Sequence, residues 1–367
     1  MISIMDMEKN KTSLMKVFMN YSVPLLFMVI CLIGVYASKL NAVYILNEIS
    51  VRLSRNLFMV LALIIPVIAG MGLNFAIVIG AMAGQIGLIT VKIFDIGGFP
   101  GFLMAVLFAT PFALLFGYGT GLILNKTKGK EMITSLMLGY FANGLYQLVF
   151  LTFVGTIIPV DNPEIILSGG VGLKNALDLK LIQYAVDNLF RPNNIMGVRV
   201  PVVTLLLVAA LCLVIKFLVK TKLGQDFRAL GQDINIAEVS GIKTDRIRLI
   251  AITISTVLAA WGQVIFLQNI GTLNTYNSHE QVGMFAIAAL LVGGASVTKA
   301  TISEAIVGTL LFHTLFIVSP FAGKNLFGDA QIGEYFRSFI AYGVIAVSLV
   351  LHAWQKYMNA RNREKLE

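Results

Sequence analysis

Long apolar runs, broken by short polar interruptions, dominate this chain. They fall at residues 21–37, 57–71, 72–93, 102–124, 132–154, 201–219, 247–266, 282–297, 302–318 and 335–354. Most have the roughly 17–24 residues that a helix needs to cross a hydrocarbon core about 30 Å thick. The runs are continuous rather than alternating, which selects helices over the strands of a barrel. In lipid only those two structures satisfy their own backbone hydrogen bonds. The pattern therefore predicts an all-α, polytopic transmembrane helix bundle of about ten spans. Pro66 marks a kink in the second run. The third run carries Gly80, Gly84 and Gly87, spaced by four and three, which lets helix backbones approach closely. The pattern leaves open whether residues 72–93 form one full span or a broken one.

The interruptions sort by charge. Basic clusters lie at the start (Lys9, Lys11, Lys16), at residues 125–130, at 220–248 and in the tail (Lys356, Arg361, Arg363, Lys365). All fall on one side of the predicted topology, as cytoplasmic loops should, so both termini are expected in the cytoplasm. A basic start before an apolar run also fits a signal peptide, with a loose cleavage pattern at residues 35–37. A retained first span is the better reading, because it places the next loop outside. Stretches 1–199 and 200–367 then hold five spans each. An odd number makes the two halves inverted repeats in orientation. Residues 38–56, 267–281 and 319–334 are expected as outer segments. The long loop at 156–199 is expected outside too, with mixed charge (Asp161, Glu164, Lys174, Asp178, Lys180, Asp187, Arg191, Arg199) and short surface helices at 165–167 and 179–186.

Composition agrees with a membrane protein. The chain is 57% hydrophobic and 13% charged, with mean hydropathy +0.83, against about 25% charged residues in soluble domains. The net charge of +9 therefore reads as topology rather than nucleic-acid binding. Cys31 and Cys212 sit inside apolar runs and read as small hydrophobic fillers. His279, His313 and His352 show no metal-ligand spacing. Residues 117–121 are glycine-rich but lack the Gly-Lys-Ser/Thr of a phosphate-binding loop. No catalytic set stands out. The expectation is no enzyme activity, no metal and no cofactor, with any uphill transport driven by a partner. Glu304 reads as a surface residue near Lys299, His313 as a donor to a neighbouring helix, and Arg337 as a side chain snorkelling to the interface.

A pathway for a polar solute needs uncharged hydrogen-bonding groups inside the bundle, and aromatics to stack on a ring. Candidates in the first half are Asn74, Phe75, Gln85, Tyr140, Asn143 and Gln147; Asn143 and Gln147 share a helix face. Candidates in the second are Trp261, Gln263, Phe266, Gln268 and Asn269. Each has a competing reading as an interhelical hydrogen bond. The lack of charge within the spans favours a neutral solute.

The longest polar interruption with a helical pattern is residues 221–242, within a predicted cytoplasmic segment at 221–246. Phe227, Leu230, Ile234 and Ala237 fall on one face of a short amphipathic helix, and Gly224 and Gly241 bracket it. The order Thr221, Gly224, Arg228, Ala229, Gly231, Ala237, Gly241, Ile242 resembles the coupling segment of ABC-importer permeases of the ribose/nucleoside/branched-chain amino acid type. Asp233 stands where that family usually has Asn. The stretches GMFAIAALLVGGAS (283–296), ISTVLAAWG (254–262) and EMITSLMLGYFAN (131–143) are also similar to it, the last closest to the nucleoside/simple-sugar branch. The resemblance implies a bacterial inner-membrane permease importing a neutral polar solute, a nucleoside or simple sugar. It implies partner ABC ATPase subunits contacted through Gly224, Phe227, Arg228, Ala229, Leu230, Gly231, Ile234, Ala237 and Gly241. It also implies a second permease subunit, identical or related, and an external solute-binding protein. The alternatives are a branched-chain amino acid permease, or a secondary transporter acting alone.

Overall fold

A computed structural model describes residues 23–160, 162–189, 194–195 and 198–364. The expectations for Lys9, Lys11, Lys16, Asp161, Arg191 and Lys365 lie outside the described residues. The helices in chain order are α1 (Val23–Ser38), α2 (Ala42–Ala62), α3 (Ile64–Ile68), α4 (Ile77–Ile93), α5 (Gly98–Lys126), α6 (Glu131–Leu148), α7 (Val202–Lys220), α8 (Lys222–Gln232), α9 (Ile234–Val239), α10 (Thr244–Ile270), α11 (Ser278–Val292), α12 (Ile302–Phe327) and α13 (Ala330–Glu364). Short strands β1 (Ala176–Asp178), β2 (Asn194–Ile195), β3 (Val198–Arg199) and β4 (Thr272–Asn274) lie between them; β1 pairs antiparallel with β4, and β2 with β3.

The helical, polytopic class holds, but not all ten expected spans reach membrane-crossing length. Among the described residues, 6 helical stretches are long and apolar enough: Ala42–Ile68, Gly98–Lys126, Glu131–Phe153, Val202–Lys220, Thr244–Ile270 and Ile302–Phe327. The third run is broken. Residues 71–76 form turns, Gly70 and Gly72 adopt left-handed φ of 73° and 72°, and α4 begins only at Ile77. Its 17 residues reach about 26 Å, short of a full hydrocarbon core. Hydropathy did not locate the break, because the residues around it, Asn74 apart, are themselves apolar.

Three segments expected on the outer side contain helix. Residues 42–56 belong to α2, the stretch 267–270 ends α10, and α12 runs through Pro320 to Phe327. Polar residues do not stop a helix whose backbone bonds are internal. In the loop after α6, residues 165–167 are not helical; Ile166 bridges to Leu173, and 3-10 turns form at Lys180–Ile182 and Asp187–Leu189.

The described chain divides into two compact units, each drawn from both 1–199 and 200–367. The first comprises α1, the start of α2, residues 288–296, and α12 with α13. Its helices meet through small residues. A Cβ on Gly34 would lie 2.7 Å from Val318, and one on Gly308 would lie 1.9 Å from the Ala289 carbonyl. The buried Cys31 thiol donates to the Leu311 carbonyl at 3.3 Å, as a small filler would. Arg337 does not simply snorkel: it lies 4.7 Å over the Phe316 ring and donates to the Phe316 carbonyl and to Glu334.

The second unit comprises residues 50–287 and 297–302. Helix α4 is its axis, with nearly every side chain buried. The glycine spacing does what the sequence predicts. A Cβ on Gly80 or Gly84 would stand 2.5 Å from a carbonyl of α10 (Thr256 or Ala260), and one on Gly87 would stand 2.3 Å from the Ala105 carbonyl of α5. Residues 80 and 84 meet 256 and 260 in step, so α4 and α10 run in the same direction. At one end of the unit lie α8 and α9. At the other, Lys92 pairs with Glu164 at 2.8 Å, and β1 with β4 ties the long loop to the end of α10.

Candidate functional site

Midway along α4, Gln85 is fully buried and meets two other helices. Its Oε1 lies 2.9 Å from Tyr146 Oη of α6 and 2.9 Å from His279 Nδ1 of α11. The other ring nitrogen, His279 Nε2, lies 2.8 Å from Asn143 Oδ1. Asn143 donates to Glu280 and accepts from Gln147. Asn143, Tyr146 and Gln147 occupy one face of α6 because they are spaced by three and four.

This network has a donor shortage that its chemistry must resolve. A neutral imidazole donates from one nitrogen and accepts at the other. With Nε2–H donated to Asn143, Nδ1 needs a donor, so Gln85 must present its amide nitrogen to both Nδ1 and the Tyr146 oxygen. The Gln85 carbonyl oxygen is then left without a partner. With the amide the other way round, its nitrogen is left instead, and it is indeed buried without a partner among the described residues. Either way one buried Gln85 atom is unpaired, at a cost of about 1–3 kcal/mol. His279→Ala, which would strip both amides of the ring they share, is expected to cost about 2–4 kcal/mol. Thermal unfolding of the full chain in detergent reads this, and an unchanged midpoint would show that the network carries no stability.

Other buried amides share this condition. Both polar atoms of Gln263 and of Gln268, and Nδ2 of Asn74, have no hydrogen-bond partner among the described residues. Gln263 packs its Cβ against Gly84, one residue from Gln85. The candidates Gln85, Gln263 and Gln268 therefore lie on α4 and α10, with Asn74 in the stretch that leads into α4. Asn143 and Gln147 join them through His279, a residue the sequence reading left unassigned. Its only sequence signal is position: Ser278-His279-Glu280 immediately precedes an apolar run.

The remaining candidates fall elsewhere. Phe75 is buried, and its N–H donates to Ser135 Oγ at 3.2 Å. Trp261 donates to Thr110 of α5 at 3.0 Å, the interhelical role that competed with the pathway reading. Tyr140 lies one turn before Asn143 on α6 but is 62% exposed. Phe266 lies beneath Arg55, at 5.5 Å, and Arg55 also donates to Asn269.

The segment expected as one amphipathic helix is two. Asp233 leaves the helical conformation (φ −158°, ψ 119°) and caps α9 by accepting from the N–H groups of Asn235 and Ile236. Phe227, Leu230 and Ala237 are buried as the pattern predicts, whereas Ile234 is half-buried at the break and Gly241 is exposed. The buried face packs on this chain itself, so it is not the face free for a partner. That face carries Arg228, Gln232 and Asn235, with Ile236 66% and Val239 91% exposed. Ala229 is half-buried at its edge. Gly224 and Gly231 are there for close approach. A Cβ on Gly224 would meet the Leu218 carbonyl at 2.2 Å, and one on Gly231 would meet the Ile68 carbonyl at 2.3 Å. Gly70, in its left-handed turn, faces Gly231 in return.

Two ionic groups fasten this end. Arg248, 3% exposed, donates to Glu131 at 2.7 Å, to Asn125 Oδ1 at 2.9 Å and to the Leu124 carbonyl at 3.2 Å. Lys128 bridges Asp245 at 2.7 Å and Glu238 at 3.4 Å. The Thr244 hydroxyl, and then Lys128, hold the Glu238 carboxyl below its ordinary value of 4.5. That tether is therefore intact above the ordinary value and is lost only as pH falls through the lowered one. Among the described residues, no cluster of three or more side chains fit to hold a metal occurs.

No solved structure matches the chain. Curated proteins do. Over 187 residues it is 27% identical to the autoinducer 2 import system permease protein LsrC of Photorhabdus luminescens, covering 50% of this chain and 54% of that one. LsrC of Yersinia enterocolitica is 35% identical over 109 residues, 29% of each chain. LsrC of Klebsiella pneumoniae is 29% identical over 151 residues, 40% of this chain and 41% of that one. The chain thus spans about half the length, or less, of these curated relatives. The family described as branched-chain amino acid transport system / permease component matches residues 45–349, most of the chain. With its apolar helices, its buried amide network and the exposed two-helix segment, this multi-pass membrane chain belongs to that family of ABC-importer permeases.

Proposed function

We propose that this chain is the transmembrane permease subunit of an ABC importer in a bacterial inner membrane, and that it takes up a neutral, sugar-like solute. A simple sugar or a nucleoside fits that description. The observation that carries the proposal is the backbone contact between Gly231 of α8 and the Ile68–Gly70 turn. That turn leads, within a few residues, into Asn74 and α4. An exposed segment is thereby joined mechanically to the helix that bears the buried amides. A partner pressing on α8 and α9 moves the start of α4.

The roles follow in order. Arg228, Gln232, Ile236 and Val239 face the cytoplasmic ATPase pair, and Phe227, Leu230 and Ala237 hold the segment to its own chain. Asn74, Gln85, Gln263 and Gln268 offer both donors and acceptors without charge. Unpaired buried amides exchange hydrogen bonds with solute hydroxyls or water at little cost. A second permease subunit completes the path, and an external binding protein delivers the solute. Under this topology both termini are cytoplasmic and the halves 1–199 and 200–367 are inverted. The name of the LsrC relatives points the same way, to import of a small solute.

The test is recovery of the tagged full chain from native membrane in mild detergent, followed by mass spectrometry. Co-purification of an ATPase carrying a phosphate-binding loop is the expected result. Uptake of labelled D-ribose or adenosine should also stop on ATP depletion and persist with a protonophore. Recovery of this chain alone, with protonophore-sensitive uptake, would replace the proposal by a secondary transporter. Uptake of L-leucine in place of both would make the solute an amino acid.

A further inference from the structure

At the end of the second unit remote from α8, a recess of about 310 Å³ opens between the last turn of α10, strand β4 and the first two turns of α11. Its size falls in the range of small-ligand sites, about 300–1,000 Å³. Phe266 of α10 and Phe285 of α11 contribute aromatic rings, and Asn274, Ser278 and Gln281 contribute polar groups. No charged residue lines it.

The polar groups have capacity to spare. Asn274 spends its Oδ1 on the N–H groups of Tyr276 and Asn277, and its own N–H donates to Ser278 Oγ at 3.0 Å. Its Nδ2, the Ser278 hydroxyl hydrogen and the whole Gln281 amide make no hydrogen bond among the described residues. Three donors and an acceptor of neutral character thus meet two aromatic faces. That is the chemistry of a sugar ring, with hydroxyls around the edge and C–H groups on the face. Arg55, which lies over the Phe266 ring at 5.5 Å, already donates to Asn269.

The position suits a point of entry. Ser278 and Phe285 are seven residues apart on one helix face, so the recess descends about 10 Å along α11. The adjoining face of α11 presents His279 to Gln85 and Asn143. A solute in the recess therefore touches the helix that the buried network locks to α4 and α6.

We infer that this recess is a solute-binding subsite, which holds the ring of a neutral polyhydroxyl solute between Phe266 and Phe285 before it enters the bundle. The inference rests on the importer reading. Saturation-transfer NMR of the full chain in lipid nanodiscs, with D-ribose and adenosine as probes, tests it directly. Saturable transfer to ring protons is expected, with apparent affinity about tenfold weaker in Phe285→Ala and in Gln281→Ala, and unchanged in Val214→Ala, whose side chain is exposed on α7. Gln281 is exposed, so its replacement keeps the test alive if Phe285→Ala fails to fold. No saturable transfer from either probe, or equal transfer in all variants, overturns the inference. Cellular uptake separates it from the importer reading. If uptake needs this chain and ATP but its half-saturation is unchanged in Phe285→Ala and Gln281→Ala, the subsite falls and the importer stands. If deleting the chain leaves uptake of every probe unchanged, both fall.

Discussion

Gly231→Val is expected to reduce uptake at least tenfold, while the chain still inserts in the membrane. The glycine lies in the last turn of α8, where a Cβ would stand 2.3 Å from the Ile68 carbonyl oxygen. Both groups are backbone, so no side-chain rotation relieves the contact. The turn cannot move aside freely, because Gly70 holds a left-handed φ of 73° and itself lies against Gly231. The valine therefore pushes α8 off the turn that leads to α4. In proteoliposomes with the ATPase partner, hydrolysis should continue while solute uptake falls. Arg228→Ala offers the contrast. Arg228 is exposed, so its loss should weaken the proposed ATPase contact with the thermal midpoint unchanged. Uptake by Gly231→Val within twofold of the parent would show that the backbone contact transmits nothing.

Arg248→Met is the second large effect, and it acts on stability. The guanidinium is 3% exposed and the Glu131 carboxylate 12%, at 2.7 Å. Asn125 extends the network, accepting from Arg248 and donating to the Asp245 carbonyl at 2.7 Å. Removing one member of a buried pair leaves the other charge desolvated and unpaired, at a cost of about 3–5 kcal/mol. The double variant Arg248→Met/Glu131→Gln removes both charges and should recover part of that loss. Thermal unfolding in detergent gives all three midpoints. A single variant as stable as the parent, or a double variant worse than the single, would contradict the ion-pair account. The pair joins the starts of α6 and α10 at the α8 end, so its loss should also blunt coupling.

The amide row shows how far one-dimensional reasoning reached. Gln85, Asn143 and Gln147 stand out in the sequence because a polar amide in an apolar run is costly unless it has work to do. The structure brings these three together, but through His279, which lies beyond the polar stretch that separates α10 from α11. Nothing in the spacing of 279 relates it to 85 or 143. Trp261 and Tyr140 look the same in sequence as Gln263, yet one bonds to Thr110 and the other is largely exposed. A helix of 3.6 residues per turn tells which residues share a face, but not which helix that face meets.

The α8–α9 segment repeats the lesson in reverse. Phe227, Leu230 and Ala237 were legible as a buried face, and they are buried. What they are buried against was not: the apolar face belongs to the chain's own packing, and Ile236 and Val239 on the other side are the ones left open. The break at Asp233 is a capping event, in which the carboxylate competes with the helix for backbone N–H groups.

Hydropathy by itself determined that the chain is a helical membrane protein, roughly where its helices lie, and that glycines at 80, 84 and 87 bring backbones close. Those properties depend on local composition and on the cost of an unpaired backbone in lipid, which any window of sequence exposes. Tertiary structure alone decided that α4 is short and begins after a turn, that α4 and α10 run in step, and that Gln85, His279 and Asn143 form one network. It also decided that Gly231 meets Gly70. Those depend on which distant segments share a volume, and periodicity along a single chain carries no record of that.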